Sequence, residues 1–200
     1  MKPDYDHLYR FGENFRPFAR GLRAGPEDNG LDANGITLGI VRPKQAVRFV
    51  HASGKRLCDV IWTTYLPLVL ISKRLRDLLE HEQLTGWSTY PVSVHANGGN
   101  TLCNYFGLSV TGRAGPIDNR RSRKVSRGPK LEKGSKFQRC LGMFFKDDEW
   151  DGSDIFVPEK TTFIIMTERA KDAIGALKIP NVEFDSLRTL ERDIPRSAAP

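Results

Sequence analysis

The acidic stretch KDDEWDGSD, residues 146–154, has the composition of a cation-binding loop, with five carboxylates in eight positions. Counted from Asp147, acids occupy the first, third and fifth positions of a calcium-binding loop, and Gly152 occupies the sixth. The twelfth position should hold a bidentate glutamate but is Pro158. We therefore expect no metal ion and no cofactor, and we interpret Asp151 and Gly152 as a turn among solvated acids.

A second concentration of charge is basic. Residues 113–139 hold ten of the 31 lysines and arginines but two of the 24 acids, a local charge of +8 that leaves the rest at −1. Such a segment attracts an acidic protein surface or the phosphates of nucleic acid, or it is only a solvated connection. No aromatic residue lies between Gly107 and Lys136 for bases to stack on, so nucleic-acid binding would be non-specific. The candidate partner-binding residues are Arg113, Arg120, Arg121, Arg123, Lys124 and Arg127.

Glycine-containing turns border both charged segments, and their residue types are typical of structure rather than catalysis. The stretch TGRAGPID, residues 111–118, lacks the lysine–serine pair of a phosphate-binding loop. Its glycine–proline step predicts a tight turn in which the aspartate side chain accepts a hydrogen bond from its own backbone. The residues we interpret as structural turns are Gly112, Gly115, Pro116, Asp118, Trp150, Asp151, Gly152 and Asp154.

Histidine is scarce, and the four residues His7, His51, His81 and His95 show no metal-ligand spacing and lie in no nucleophile motif. We predict no catalytic residues and a protein that is not an enzyme. The remaining enzymatic alternative is a site assembled in space from Asp118, the acids of residues 147–154 and one histidine.

The cysteines and the apolar stretches bear on the compartment. Cys58, Cys103 and Cys140 are odd in number and far apart, which favours buried thiols over disulfides or a zinc site. The longest apolar stretch, LPLVLI at 66–71, is too short to span a bilayer, and the N-terminus lacks the apolar core of a signal peptide. We expect a cytoplasmic protein with no membrane partner.

An internal repeat indicates the architecture. The stretches LPLVLISKRLRDLLEHEQLTGWSTYPVSV and KTTFIIMTERAKDAIGALKIPNVEFDSL align at a constant offset of 95 residues, and each predicts a strand, a helix and a second strand. Ser72 and Thr167 stand where a helix N-cap belongs. Helical spacing also predicts one arginine–aspartate pair on each helix, Arg74 with Asp77 and Arg169 with Asp172.

These patterns predict an α+β fold in which residues 1–200 form a single domain with a mostly antiparallel sheet, two packed helices and a long basic loop over 112–136. LCNYFGLSVTG and FQRCLGMFF are predicted as paired strands flanking that loop. Turn residues dominate the opening, so we expect an irregular N-terminal segment over residues 1–35. Residues 191–200 are expected to form a flexible tail.

Four stretches carry a family resemblance: WTTYLPLVLISKRLRDLLEHEQLTGWSTYPVSV, YFGLSVTGRAGPIDNRRS, WDGSDIFVPEKTTFIIMTERAKDAI and NVEFDSL. Together they resemble immunity family eleven, formerly a domain of unknown function, whose members are predicted immunity proteins encoded beside polymorphic toxins. The resemblance covers about residues 58–190, and its most specific motifs stand here at Gly107–Asp118 and Trp150–Glu159. It implies a protein that binds and neutralises a cognate bacterial toxin, and it supplies no catalytic residue.

The leading hypothesis is therefore a non-enzymatic, toxin-binding protein, and the alternative is a nucleic-acid-binding module that uses the basic segment 113–139. Immunity proteins against basic nucleases usually present an acidic surface, whereas the distinctive segment here is basic. Either the partner is acidic, or binding uses another surface, or the protein has a different role. The oligomeric state is left open by these patterns.

Overall fold

The computed structural model describes residues 2–28, 30–98, 100–128 and 136–193. Strands dominate these ranges, with three α-helices, α1 (Ala33–Thr37), α2 (Lys73–His81) and α3 (Glu168–Ala176). The strands are β1 (Leu8–Glu13), β2 (Arg23–Pro26), β3 (Val47–Ser53), β4 (Val60–Thr63), β5 (Val69–Ser72), β6 (Trp87–His95), β7 (Thr101–Leu102), β8 (Tyr105–Val110), β9 (Gly112–Ala114), β10 (Arg123–Arg127), β11 (Phe137–Leu141), β12 (Ile155–Pro158), β13 (Ile165–Thr167), β14 (Val182–Ser186) and β15 (Glu191–Asp193).

The described strands form three sheets. The largest has the order β3-β2-β4-β5-β8-β6-β7, and a further pairing of β3 with β6 closes six of its strands into a barrel, which we call the closed sheet. The open sheet has the order β14-β1-β13-β12-β9, and the three-stranded sheet has the order β10-β11-β15. The pairs β2–β4, β3–β6 and β9–β12 are parallel, and the other named pairs are antiparallel.

This architecture is consistent with the α+β class but corrects its details. Three sheets replace the single predicted sheet, and the short helix α1 joins the two predicted helices. No local sequence pattern predicts the closure of the sheet, because the β3–β6 pairing joins residues such as Val47 and Val92 that are distant in sequence. None of the helices in the described ranges is long and apolar enough to cross a membrane.

Alternation along the strands divides the interior into separate cores. On β4 and β5, Ile61 and Leu70 face the interior of the closed sheet, where they meet Phe49. Their sequence neighbours Val60 and Ile71 face outward and pack with α2, α3 and one face of the open sheet. The other face of the open sheet covers a third core, which contains Phe145, Phe156, Ile165 and Leu187.

The internal repeat of the sequence is present in the structure. We call β4–β5–α2–β6 the first unit and β12–β13–α3–β14 the second unit. Helices α2 and α3 start and end at positions 95 residues apart. Ser72 accepts a hydrogen bond from the Leu75 amide at 3.1 Å, and Thr167 accepts one from the Ala170 amide at 3.4 Å. Both predicted N-caps are therefore confirmed.

A second repeat extends the duplication. The tetrapeptide RAGP stands at 23–26 and again at 113–116. The first copy forms β2, which runs parallel to β4, and the second begins within β9, which runs parallel to β12. Strand β8 lies between β5 and β6, whereas β1 lies between β13 and β14. Each half of the chain therefore lends one strand to the unit of the other half.

This strand exchange corrects the expectation of an irregular segment over residues 1–35. That range contains β1, β2 and part of α1, because Leu8 and Phe11 of β1 are buried in the cores on either face of the open sheet. Of the turn residues, Gly21 and Gly30 lie in connections, whereas Gly25 and Pro26 lie in β2.

The basic segment is also more regular than predicted. Residues 112–114 form β9 and residues 123–127 form β10, so the described part of 112–136 is not one long loop. Strand β11 pairs with β10 and β15, not with β8, which belongs to the closed sheet. Residues 129–135 of the predicted loop lie outside the described residues.

The expected tail begins with a strand. Residues 191–193 form β15, which pairs with β11 through registers such as Cys140 with Arg192. Residues 194–200, the rest of the predicted tail, lie outside the described residues.

Candidate functional site

The predicted partner-binding residues separate into two groups, and the first is bound within the molecule. Arg113 is half-buried, and its guanidinium donates to the carbonyls of Val110 at 2.7 Å, Gly112 at 2.8 Å and Leu38. Burial lowers the pKa of Arg113 from its ordinary value, with a smaller opposing effect from Asp151. A guanidinium that satisfies three backbone carbonyls holds the fold together and is not free for a partner.

Arg121 belongs to the same group. Its Nη1 donates to Asp147 at 2.7 Å, and its guanidinium lies over the rings of Tyr5 and Phe144, each centroid being 4.8 Å away. Tyr5 donates to Asp147 at 2.7 Å. Burial alone would raise the pKa of Asp147, but the bonds from Tyr5 and Arg121 outweigh it and lower that pKa. This network attaches the basic segment to the N-terminus.

Arg127 is also paired. It donates to both carboxylate oxygens of Glu191 on β15. The hydrogen bond to Glu191 raises the pKa of Arg127 above its ordinary value. Arg127 and Glu191 connect the outer strands of the three-stranded sheet across β11.

The second group is exposed, and we call Arg120, Arg123 and Lys124 the exposed cations. The Arg120 side chain is 92% exposed, although its Nε donates to Asp118 at 3.1 Å. Arg123 and Lys124 are exposed on β10, and no carboxylate in the described part of the chain lies within ion-pair distance of either. Of the six predicted candidates, these three are available to an acidic partner.

The two turn motifs that carry the family resemblance form one structural unit. Strand β9 of the first motif runs parallel to β12 of the second. The Asp151 carboxylate accepts from the Arg113 amide at 2.7 Å and from the Ser153 amide at 2.9 Å. A Cβ added to Gly112 would lie 2.3 Å from the Ile155 carbonyl oxygen, so only glycine permits this approach.

The remaining turn residues surround this junction. Gly115 and Pro116 follow β9, and an added Cβ at Gly115 would contact Lys146 and Glu149. Asp118 accepts from the Arg120 amide at 3.1 Å and begins a 3-10 turn. Gly152 has a φ of +82°, and the Trp150 ring packs at a tilt against Phe156 in the third core, with the ring centroids 5.5 Å apart.

The acids of residues 147–154 point to different partners. Asp147 contacts Tyr5 and Arg121, Asp151 contacts backbone amides, and Asp154 lies in a separate cluster. Within the described ranges, no three His, Cys, Asp or Glu side chains converge in a way that could hold a metal ion. Neither Asp118 nor Asp147 has a histidine among its hydrogen-bond partners in those ranges.

Sequence reasoning missed a polar cluster that occurs in both units. In the first unit, Asp59 accepts from Ser72 Oγ at 2.6 Å and from Arg74 Nη1 at 2.9 Å. In the second, Asp154 accepts from Thr167 Oγ1 and from Arg169 Nη1, both at 3.2 Å. The two aspartates are 95 residues apart, so extending the repeat toward the N-terminus would have found them.

These clusters correct the predicted pairs on the helix surfaces. Arg74 pairs with Asp59 rather than with Asp77, which Lys73 and Arg76 contact instead. Arg169 pairs with Asp154 rather than with Asp172, which Lys171 contacts. The carboxylates of Asp59 and Asp154 lie mostly buried beside the helix N-termini, whereas those of Asp77 and Asp172 are more exposed on the helices. Hydrogen bonds from the two arginines are therefore stronger to Asp59 and Asp154.

The cysteine expectation is partly wrong. Cys58 and Cys140 are buried free thiols, whereas Cys103 is exposed. The two-residue strand β7 ends at Leu102, so Cys103 lies in the turn before β8 and outside the cores.

Three clefts meet around the turn between β12 and β13. The first, about 580 Å³, is lined by Arg10, Phe163, Arg139 and Arg192, among others, and borders the three-stranded sheet. The second, about 650 Å³, contains Arg113 and the same turn. The third, about 220 Å³, is mostly apolar and also contains Arg10 and Phe163. A composition-based analysis has no signal for such surfaces, because they join distant parts of the chain.

Comparison with known proteins finds a family match. No curated protein matches the sequence. A family model described as Immunity protein family (Imm11) matches residues 19–189, which include both RAGP copies and both units. A match over most of the chain shows the family, and this chain belongs to the Immunity protein family (Imm11).

Proposed function

We propose that this chain neutralises a cognate bacterial toxin by binding it, without catalysing a reaction, in the cytoplasm of the cell that makes it. The observation that carries the proposal is membership of an immunity protein family over residues 19–189. Three free thiols, at Cys58, Cys103 and Cys140, fit a reducing compartment.

The exposed cations are the residues to which we assign the first contact with the toxin. Arg123 and Lys124 lie on one short strand, and neither forms an ion pair among the described residues. Because no carboxylate of the described chain neutralises them, both charges attract an acidic partner surface. Complementary charge of this kind mainly accelerates association. The toxin would therefore present carboxylates to this edge of the molecule.

A co-expression experiment tests the proposal. The toxin candidate is the product of the reading frame adjacent to this chain's gene, expressed with and without the chain in a sensitive host. We expect survival only in the presence of the chain, and a stable complex of the two purified proteins. A wild-type chain that neither binds nor protects would contradict the proposal.

A matched pair of variants tests the assigned surface. Arg123→Ala with Lys124→Ala removes two exposed charges from β10, whereas Arg42→Ala with Lys44→Ala removes two exposed charges elsewhere. We expect the first variant to associate with the toxin roughly tenfold more slowly in low salt, and the second to associate like the wild type. Equal association rates for both variants would assign docking to another surface.

The nucleic-acid alternative is tested with the same variants. Titration with duplex DNA and single-stranded RNA should give non-specific binding no tighter than about 10⁻⁶ M at physiological salt. Nanomolar binding to one sequence, lost when Arg123 and Lys124 are replaced, would favour the nucleic-acid-binding module instead.

A further inference from the structure

Four large apolar side chains are exposed in the connections that join β1 to β2, β3 to β4, and β4 to β5. The exposed fractions are 68% for Phe15, 74% for Phe18, 53% for Leu57 and 75% for Leu66. Single exposed apolar residues are ordinary, but neighbouring ones mark an interaction surface. We call these four residues the apolar patch.

Two members of the apolar patch share a cleft, and the other two lie on segments that a hydrogen bond connects. Phe15 and Leu66 line the same apolar cleft of about 220 Å³, together with Trp62 and Pro67. Phe18 lies in the 3-10 turn Pro17–Ala19, which follows Phe15 in the sequence. The Phe18 carbonyl accepts a hydrogen bond from Arg56 Nη1 at 3.3 Å. Leu57 is the next residue after Arg56. The patch therefore combines an apolar cleft, lined by Phe15 and Leu66, with the exposed side chains of Phe18 and Leu57 on linked segments.

Cations surround this patch. Arg16, Arg20, Lys55 and Arg56 are all exposed, and none of them forms an ion pair within the described residues. The chain has no acid in residues 14–22, 51–58 or 64–68. Glu13 lines the cleft but is already paired, because Arg23 Nη1 donates to both of its carboxylate oxygens at 2.9 and 2.8 Å.

These charges decide which partner fits. A second copy of the chain in a twofold dimer would place the same four cations against themselves, which like-charge repulsion opposes. An anionic bilayer would accept the cations, but insertion into lipid favours a convex apolar surface, whereas Phe15 and Leu66 line a concave cleft. An acidic protein surface with a projecting apolar side chain matches both the cleft and its charged surroundings.

We propose that the apolar patch is the anchor site of an interface with an acidic protein partner. An apolar side chain of the partner enters the cleft between Phe15 and Leu66, and partner carboxylates pair with the four surrounding cations. The inference rests on the proposed function, in which this partner is the toxin. The exposed cations of β10 accelerate the encounter, whereas the patch supplies the desolvated contact that slows dissociation.

The test compares two leucine-sized side chains of nearly equal exposure. Leu66 is 75% exposed in the patch, and Ile40 is 73% exposed outside it. The binding rates of purified product of the adjacent reading frame are measured with wild type, Leu66→Ser, Phe15→Ser with Leu66→Ser, and Ile40→Ser. We expect dissociation about tenfold faster for Leu66→Ser, faster still for the double variant, and unchanged within twofold for Ile40→Ser. Thermal unfolding establishes that every variant is folded.

Other outcomes are distinguishable. Wild-type binding that Leu66→Ser and the double variant both retain would overturn this inference and leave the proposed function standing. Wild type that does not bind the toxin candidate would overturn both. Vesicles of phosphatidylglycerol and phosphatidylcholine, and sedimentation of the free chain, test lipid and self-association. Loss of vesicle binding or of a dimer in the double variant, with toxin binding intact, would assign the patch to that other occupant.

Discussion

The first and second units share a backbone, a helix cap and a polar cluster, and one of their differences lies at a cross-strand position. In the first unit, β8 places Gly107 opposite Tyr90 inside the closed sheet, where Tyr90 is 5% exposed. At the matching register of the second unit, β1 places Arg10 opposite Asp185. These two form an ion pair, with side chains 29% and 36% exposed.

The difference shows what the repeat determines and what closure of the sheet determines. The repeated residues specify the local strand–helix–strand structure, because Ser72 and Thr167 cap equivalent helices and Asp59 and Asp154 hold equivalent arginines. Closure then decides the side chains between strands. In the closed sheet, the Tyr90 ring packs over Gly107 and fills the interior. In the open sheet, the ion pair of Arg10 and Asp185 lies at the sheet margin beside a cleft.

Disrupting the packing of Tyr90 over Gly107 should lower the free energy of unfolding more than any other change proposed below. A Cβ on Gly107 would lie 1.9 Å from the Tyr90 ring, so Gly107→Ala forces the ring out of a packed interior. We expect a loss of about 3 kcal/mol in the free energy of unfolding, against less than about 1 kcal/mol for Arg10→Ala in the second unit. Urea unfolding measures both.

Two outcomes bear on this explanation. Tyr90→Ala should remove most of the additional cost of Gly107→Ala in a double-mutant cycle, because the clash is with that ring. A Gly107→Ala variant as stable as the wild type would show that the closed interior is not packed around Tyr90.

The polar clusters should rank next, and unequally. Asp154 accepts from the Thr85 amide at 2.9 Å and the Thr85 hydroxyl at 3.0 Å, in addition to Thr167 and Arg169. Asp59 accepts side-chain bonds from Ser72 and Arg74. We expect Asp154→Ala to cost about 2 kcal/mol and Asp59→Ala about 1 kcal/mol, again by urea unfolding. Equal costs would mean that the contacts of Thr85 add nothing.

These features also show where sequence reasoning succeeds. The N-caps at Ser72 and Thr167 were predictable, because a hydroxyl before an amphipathic helix has one favourable local role. The strand Arg123–Arg127 was not, because its single apolar residue, Val125, gives no alternation, and its pairing with β11 depends on backbone bonds.

The candidate site was predictable only in part. Charge alone cannot separate Arg113, which is bound to three carbonyls, from Lys124, which is exposed on β10. That separation depends on which elements pack over each side chain. The apolar patch was missed for a similar reason, because Phe15 and Leu66 become neighbours only when the fold brings their segments together.

A third prediction concerns pH and the face of the open sheet that carries the Tyr5–Arg121–Asp147 network. The first unit has no equivalent of this network among the described residues. Because the folded-state pKa of Asp147 is lowered, its stabilising effect is present above the unfolded aspartate pKa of about 3.9 and is lost as pH falls through the folded value.

Asp147→Asn makes this measurable. At pH 7 the variant should be less stable than wild type by about 1 to 2 kcal/mol, because a charged acceptor of two hydrogen bonds is lost. The difference should remain constant down to about pH 5 and shrink below about pH 4. Urea unfolding at a series of pH values checks this, and a difference that grows on acidification would contradict it.

The smallest effects are expected at the turns that follow the two RAGP copies. Asp28 accepts from the Gly30 amide at 2.7 Å, and Asp118 accepts from the Arg120 amide at 3.1 Å, so both close equivalent exposed turns. Asp151, by contrast, joins the two motifs through the Arg113 amide. We expect Asp151→Ala to lower the free energy of unfolding by about 1 kcal/mol, and Asp28→Ala and Asp118→Ala to lower it less. If Asp118→Ala or Asp151→Ala melts like the wild type yet loses protection against the toxin, that turn is part of the binding site rather than a structural support.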